Sequence, residues 1–146
     1  QKMMNMYKQT RSLPLAILVP LAANSLFLLG NGLFMLIVPK VWYELVPGVT
    51  DTGFFNQHFV RDIGIIQIFL GAAFVTGMVR PLVRMELWTA ATLWLIAHAI
   101  FHVWEVMVSI CAPSALLRDF PAVSLPALIG IAATLYARRY RAFNPG

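Results

Sequence analysis

The chain has 146 residues, 60% of them hydrophobic and 12% charged, with a net charge of +5 and a mean hydropathy of +0.75. A water-soluble domain is about 25% charged, so this balance excludes an ordinary soluble globule and indicates a single membrane domain over 1–146. The excess positive charge does not indicate nucleic acid, because of where it sits. Lys2, Lys8, Arg11, Arg80, Arg84, Arg138, Arg139 and Arg141 all flank one side of the expected spans. Only Lys40 and Arg118 fall in the opposite loops, and Arg61 lies at a helix start. That is the positive-inside pattern, whose partners are anionic lipid headgroups rather than nucleic acid.

Four apolar stretches, at about 13–38, 59–79, 87–112 and 120–137, approach the roughly 20 residues that a helix needs to cross the hydrocarbon core. The pattern predicts an all-α four-transmembrane-helix bundle, since open strands would leave backbone groups unpaired in lipid. Lys2, Lys8 and Arg11 precede the first stretch in the manner of a signal peptide. Its apolar run outlasts a signal core of about 7–15 residues, so it reads as a retained helix. Asn24 and Asn31, seven apart, share one of its faces.

The loop at 39–57 is patterned. Pro39 opens it, Trp42 and Tyr43 suit the headgroup level, and Pro47-Gly48 stop any short helix begun at Pro39. This predicts an interfacial helix over about 40–46, with Gly53 turning the chain into the second stretch. That stretch opens on His58, Arg61 and Asp62, and carries Gly64 and Gly71 on one face. Small residues of this kind let helices approach closely, either within the chain or in a dimer.

A short basic loop at 80–86 leads to the third stretch, where His98, His102 and Glu105 follow at spacings of four and three, with Ser109 continuing the stripe. Cys111 is the only cysteine, which leaves no internal disulfide and no thiolate motif. It reads as a small buried side chain near a helix end. The fourth stretch is the shortest and contains Pro121 and Pro126. Tyr136 and Tyr140 beside Arg138, Arg139 and Arg141 form an ordinary membrane anchor.

With four spans both termini are cytoplasmic, and the loops at 39–57 and 113–119 lie on the outer side. Ionisable side chains inside a span are costly, about 2.5–3.5 kcal/mol each on insertion scales, and call for a partner or a role. The second stretch enters from the outer side and the third leaves on it. At about 1.5 Å per residue, Asp62 and Glu105 then come to similar depth, with His102 and His98 deeper. The second and third helices are antiparallel neighbours across a short loop, so His58, Asp62, His98, His102 and Glu105 can converge.

Three imidazoles and two carboxylates supply the donors that zinc or copper needs, which makes a metal centre the leading reading. Such a site would serve a redox step, a hydrolytic step or metal handling. A b-type haem held by His58 and His102, with Arg61 at a propionate, is an alternative. So is a pocket in which outer-leaflet His, Glu, Asp and Arg side chains around an apolar lumen bind a quinone, lipid or sterol-like molecule, with Glu105 as a proton donor and Arg61 and Asn31 as cofactor-binding residues. The rival from another class is a non-catalytic accessory subunit of a larger membrane complex, or a homo-oligomer, in which the polar groups are interhelical glue.

The string Phe55-Asn56-Gln57-His58-Phe59-Val60-Arg61-Asp62-Ile63-Gly64, with Val46-Pro47-Gly48-Val49 before it and His98-Ala99-x-x-His102-x-Trp104-Glu105 after it, resembles a group of small uncharacterised bacterial four-helix membrane proteins. The layout is also similar to that of DoxX-like proteins, at the level of helix number. The resemblance implies a multi-pass protein of the bacterial inner membrane and carries over no substrate and no activity.

Overall fold

A computed structural model describes residues 13–143. The basic residues Lys2, Lys8 and Arg11 lie outside the described residues. Among the described residues there are six α-helices: α1 (Leu15–Ile37), α2 (Pro39–Leu45), α3 (Gln57–Val79), α4 (Arg84–Met107), α5 (Ala115–Asp119) and α6 (Ser124–Phe143). Short 3-10 turns occupy Val49–Asp51 and Pro81–Val83.

Proline and side-chain caps set the boundaries. A residue before proline is pushed out of the helical region, so Val38 and Arg80 end α1 and α3 ahead of Pro39 and Pro81. Pro39 then starts α2 at a position where its missing N–H costs nothing. The Asn56 side chain caps α3, accepting from the backbone N–H of His58 at 3.0 Å and of Phe59 at 3.4 Å. Pro20 lies inside α1, where neighbouring helices keep a proline tolerable.

The third apolar stretch continues to residue 112, but α4 stops at Met107. Ser109 turns left-handed at φ 61°. Its N–H donates to Val106 O at 3.1 Å, and Ile110 N–H donates to Glu105 O at 2.9 Å. This is a Schellman cap, with serine where glycine is usual.

Among the described residues three helices are long and apolar enough to cross a membrane: Leu15–Ile37, Gln57–Val79 and Pro81–Met107. The fourth expected span is displaced. Its helix begins at Ser124, beyond Pro121, and runs on through Arg138 and Arg139, and those charges bring its apolar content below that of the other three.

The four long helices form one bundle. α1 packs along α3, α3 along α4, α4 along α6, and α6 touches α1. The Pro81–Val83 turn and the start of α1 mark one end of the bundle, the turn end. α2, α5 and the segments beside them cover the other, the loop end. Leu21, Leu28, Leu70, Phe74, Trp88 and Leu95 fill the core.

Glycines bring the backbones together. A Cβ on Gly32 would lie 2.6 Å from Gly64 O, and one on Gly71 would lie 3.0 Å from Ser25 O. The Gly64 and Gly71 face is therefore the intrachain seam with α1. Deep polar groups are matched across helices. The Asn24 amide donates to Pro126 O at 3.3 Å, and the hydroxyls of Thr92 and Thr134 lie 3.1 Å apart. The outer surface of the spans is apolar, with Leu26, Phe69, Ile100 and Met107 exposed, as a lipid environment requires.

At the turn end the Arg84 guanidinium is buried. It donates from Nε to Gly77 O at 2.7 Å and from Nη2 to Met78 O at 3.2 Å, and it lies 5.3 Å from the centre of the Trp88 ring. It closes the last carbonyls of α3, so its charge serves the fold as well as the flank on which the sequence places it.

Candidate functional site

α3 brings His58 and Asp62 one turn apart, as their spacing requires. His58 Nε2 lies 3.2 Å from Asp62 Oδ2, with 79% and 49% of the two side chains exposed. The pair stands on the outside of the bundle. Arg61, between them in sequence, turns instead toward α1. Its Nε donates to Leu36 O at 3.1 Å and its Nη1 to Gln57 Oε1 at 3.0 Å. Leu36 O belongs to the last turn of α1, whose carbonyls have no partner within the helix. Arg61 is thus a cap for a neighbouring helix.

Asn31 is half-buried and ties three helices together. Its Nδ2 donates to Gln67 Oε1 on α3 at 2.8 Å, and its Oδ1 accepts from Trp42 Nε1 on α2 at 2.8 Å. Sequence reasoning missed Gln67 as the partner and read Trp42 only as a headgroup anchor. An amide deep in an apolar stretch was the visible signal for Gln67.

α4 presents a column of rings. Trp94 stacks on His98 with centroids 5.0 Å apart and planes at 21°. His98 meets His102 edge-on at 4.8 Å and 81°. His102 Nδ1 then reaches Asp119 Oδ2 at 3.5 Å and Glu105 Oε2 at 3.9 Å. Glu105 is buried at 7% exposure.

Asp119 sits at the end of α5, against Arg118. Arg118 Nε lies 2.7 Å from Asp119 Oδ1 and Nη2 3.2 Å from Oδ2, and its Nη1 reaches Asp51 Oδ2 at 3.3 Å. The hydrogen bonds to Asp119 hold the guanidinium above its ordinary pKa. Gly48, at φ 83°, lies beneath that guanidinium, and any side chain there would run into it. Asp119 went unread as a partner of His102, and Arg118 and Asp51 as the groups tied to Asp119, because nothing in their spacing links two separate loops. Cys111 lies beside this network. Its partial burial, followed by the Glu105 carboxylate, pushes the thiol up from its ordinary pKa.

The five groups expected to share one centre fall into two sets. His58 and Asp62 pair on the exposed side of α3. His98, His102 and Glu105 stand on α4, where His102 turns to α5. Among the described residues no group of three or more His, Cys, Asp or Glu side chains can hold a metal ion. This overturns the expected copper or zinc site at His58, Asp62, His98, His102 and Glu105, and with it the redox, hydrolytic and metal-handling roles. The physical reason is that His58 and Asp62 pair with each other on the exposed side of α3, away from α4, while His102 turns to Asp119, a carboxylate that the Arg118 guanidinium already balances. The haem b reading fails with it. His58 and His102, the two expected axial ligands, are committed to separate carboxylates, and Arg61 is spent on the end of α1.

The arrangement can fasten helices and loops. Arg61 and Asn31 join α1 to α2 and α3, and the run Asp51, Arg118, Asp119, His102 joins both loop segments to α4. No protein-family model matches the chain, and no curated protein and no solved structure matches it either.

Proposed function

We propose that this chain is a non-catalytic subunit of a larger assembly in the bacterial inner membrane, with four spans and both termini in the cytoplasm. The observation that carries this reading is the use to which the ionisable side chains are put. Arg61 caps α1, and His102, Asp119, Arg118 and Asp51 bind loop to loop. Groups consumed in fastening a bundle are not poised for proton transfer or nucleophilic attack, which need a group within reach of a substrate atom. The apolar exterior of the long helices leaves little water-facing surface for a soluble partner, so contact with other subunits runs through the spans. Arg80, Arg138 and Arg139 at the turn end support the orientation by the positive-inside rule. The resemblance to small bacterial four-helix membrane proteins belongs to the same reading.

Extraction from native membranes into lipid nanodiscs by a styrene–maleic acid polymer, followed by native mass spectrometry, tests the assembly. The expected result is a defined stoichiometric complex with another membrane chain. Recovery of isolated single copies from such gentle extraction would refute it. The orientation is tested by alkaline phosphatase and fluorescent-protein fusions. Fusions after residue 143 should be fluorescent and phosphatase-inactive.

A further inference from the structure

His98 is placed differently from the other polar side chains of the bundle. It stands nine residues before Met107, the last residue of α4, which puts it about 14 Å along the helix from that end at 1.5 Å per residue. The hydrocarbon half-thickness is about 15 Å, so His98 sits near mid-bilayer. The deep groups Asn24, Asn31, Thr92 and Thr134 all find partners inside the chain. The ring contacts of His98 are the stack on Trp94 and the edge-on pairing with His102. Its nitrogens make no hydrogen bond to the described residues, and no partnerless side-chain nitrogen there is sealed from the surface. A half-buried imidazole thus shows its edge to hydrocarbon, which cannot hydrogen-bond to it.

We propose that His98 anchors a binding site for a neutral lipid alcohol, an acylglycerol or an isoprenoid alcohol. A neutral imidazole offers one N–H donor and one acceptor nitrogen, and a hydroxyl is also both donor and acceptor, so the two groups match. Depth selects against the alternatives. Phosphate and carboxylate headgroups are held at the interface by their charge, whereas an uncharged hydroxyl on an apolar tail reaches this level at a lower cost, which hydrogen bonds to His98 offset. One ring face of His98 is taken by the Trp94 stack, and its nitrogens, which carry no hydrogen bond within the described residues, are left for a ligand. Phe101, one turn further along and 49% exposed, stacks on Trp104 with centroids 5.6 Å apart and forms the apolar bed for the tail. The site goes beyond the subunit reading and stands whether or not a partner chain is found.

The test uses the full chain in phosphatidylcholine nanodiscs. Ring 15N spectra of its three histidines are recorded while dioleoylglycerol, or in a second arm a polyisoprenol, is added. The expected result is a saturable shift at His98 with His58 unmoved, and the arm that saturates at lower concentration identifies the source. Quenching of tryptophan emission by a dibrominated diacylglycerol follows binding in the variants. His98→Phe keeps a ring on Trp94 and removes the nitrogens, and should weaken binding at least tenfold. His98→Gln restores a donor and an acceptor and should recover it to within about threefold. No saturable His98 shift with either alcohol, as when only water sits there, overturns the proposal. So does equal quenching in wild type and in a folded His98→Phe.

Discussion

Replacing Gly64 by alanine should pry α1 from α3. A Cβ at Gly64 would lie 2.8 Å from Gly32 O and 2.9 Å from the Met35 Cβ. Ordinary contact begins at 3.4 Å, so the helices must part by about 0.6 Å at their closest approach. The first of these atoms is backbone and cannot rotate away. Overpacking of this kind costs about 1–3 kcal/mol, a factor of about 5–150 in the unfolding equilibrium. Gly30→Ala is the control, because a Cβ there meets nothing within 4 Å. It should leave stability unchanged or raise it by up to about 1 kcal/mol, since alanine is the better helix former. Reversible unfolding of the full chain in mixed micelles of mild detergent and dodecyl sulfate, followed by tryptophan emission, measures both. Equal midpoints for the two variants would refute the close seam. A change in oligomeric state without loss of monomer stability would assign this face to a dimer instead.

Ser109→Gly should stabilise by about 1 kcal/mol in the same assay, because serine pays for a left-handed conformation that glycine adopts freely. Cys111 reports on the loop end. Its raised thiol pKa leaves less thiolate at pH 7, so labelling by a membrane-impermeant maleimide should be slow and keep rising above about pH 8.5, where an ordinary thiol is half ionised. Arg118→Gln removes a cation that favours the Cys111 thiolate, so the thiol pKa should rise further, while the limiting labelling rate at full ionisation should increase several-fold as the tie between Asp51 and Asp119 loosens; an unchanged limiting rate would show that Arg118 does not hold the loops. Chelators that strip zinc and copper should leave the unfolding midpoint where it is, and His102→Ala should not change the metal content of the purified chain. A fall in either would reopen the metal site that the geometry removes.

Helices were legible in this sequence because lipid forces a long apolar run to satisfy its own backbone. Their ends were less so. The run 87–112 stays apolar through Val108, Ile110 and Cys111, and hydropathy has no term for a cap built on Ser109. The spacing of charged residues also read correctly along one helix, since His58 meets Asp62, and His98 meets His102. What spacing could not give was rotation. Gly64 and Gly71 commit one face of α3 to α1, and Arg61 lies on that face. At about 100° per residue, His58 and Asp62 are turned roughly 60–100° from Arg61, which carries them to the surface rather than toward α4. The partners of His102 were hidden for a different reason. Asp119, with Arg118 beside it, comes from a short helix whose position depends on how two loops fold over the end of the bundle, and no local pattern records that.

The modest apolarity of α6 has a consequence for biogenesis. Read as the fourth span, it adds to its own affinity for lipid the hydrogen bonds that join it to helices made earlier: Pro126 to Asn24 of α1, and Thr134 to Thr92 of α4. Its insertion is then favoured by having those helices already in place beside it. A nascent chain halted before residue 124 would remain embedded yet carry unmet amide and hydroxyl groups on an open flank, the kind of surface by which quality-control proteases distinguish an orphan from a finished product.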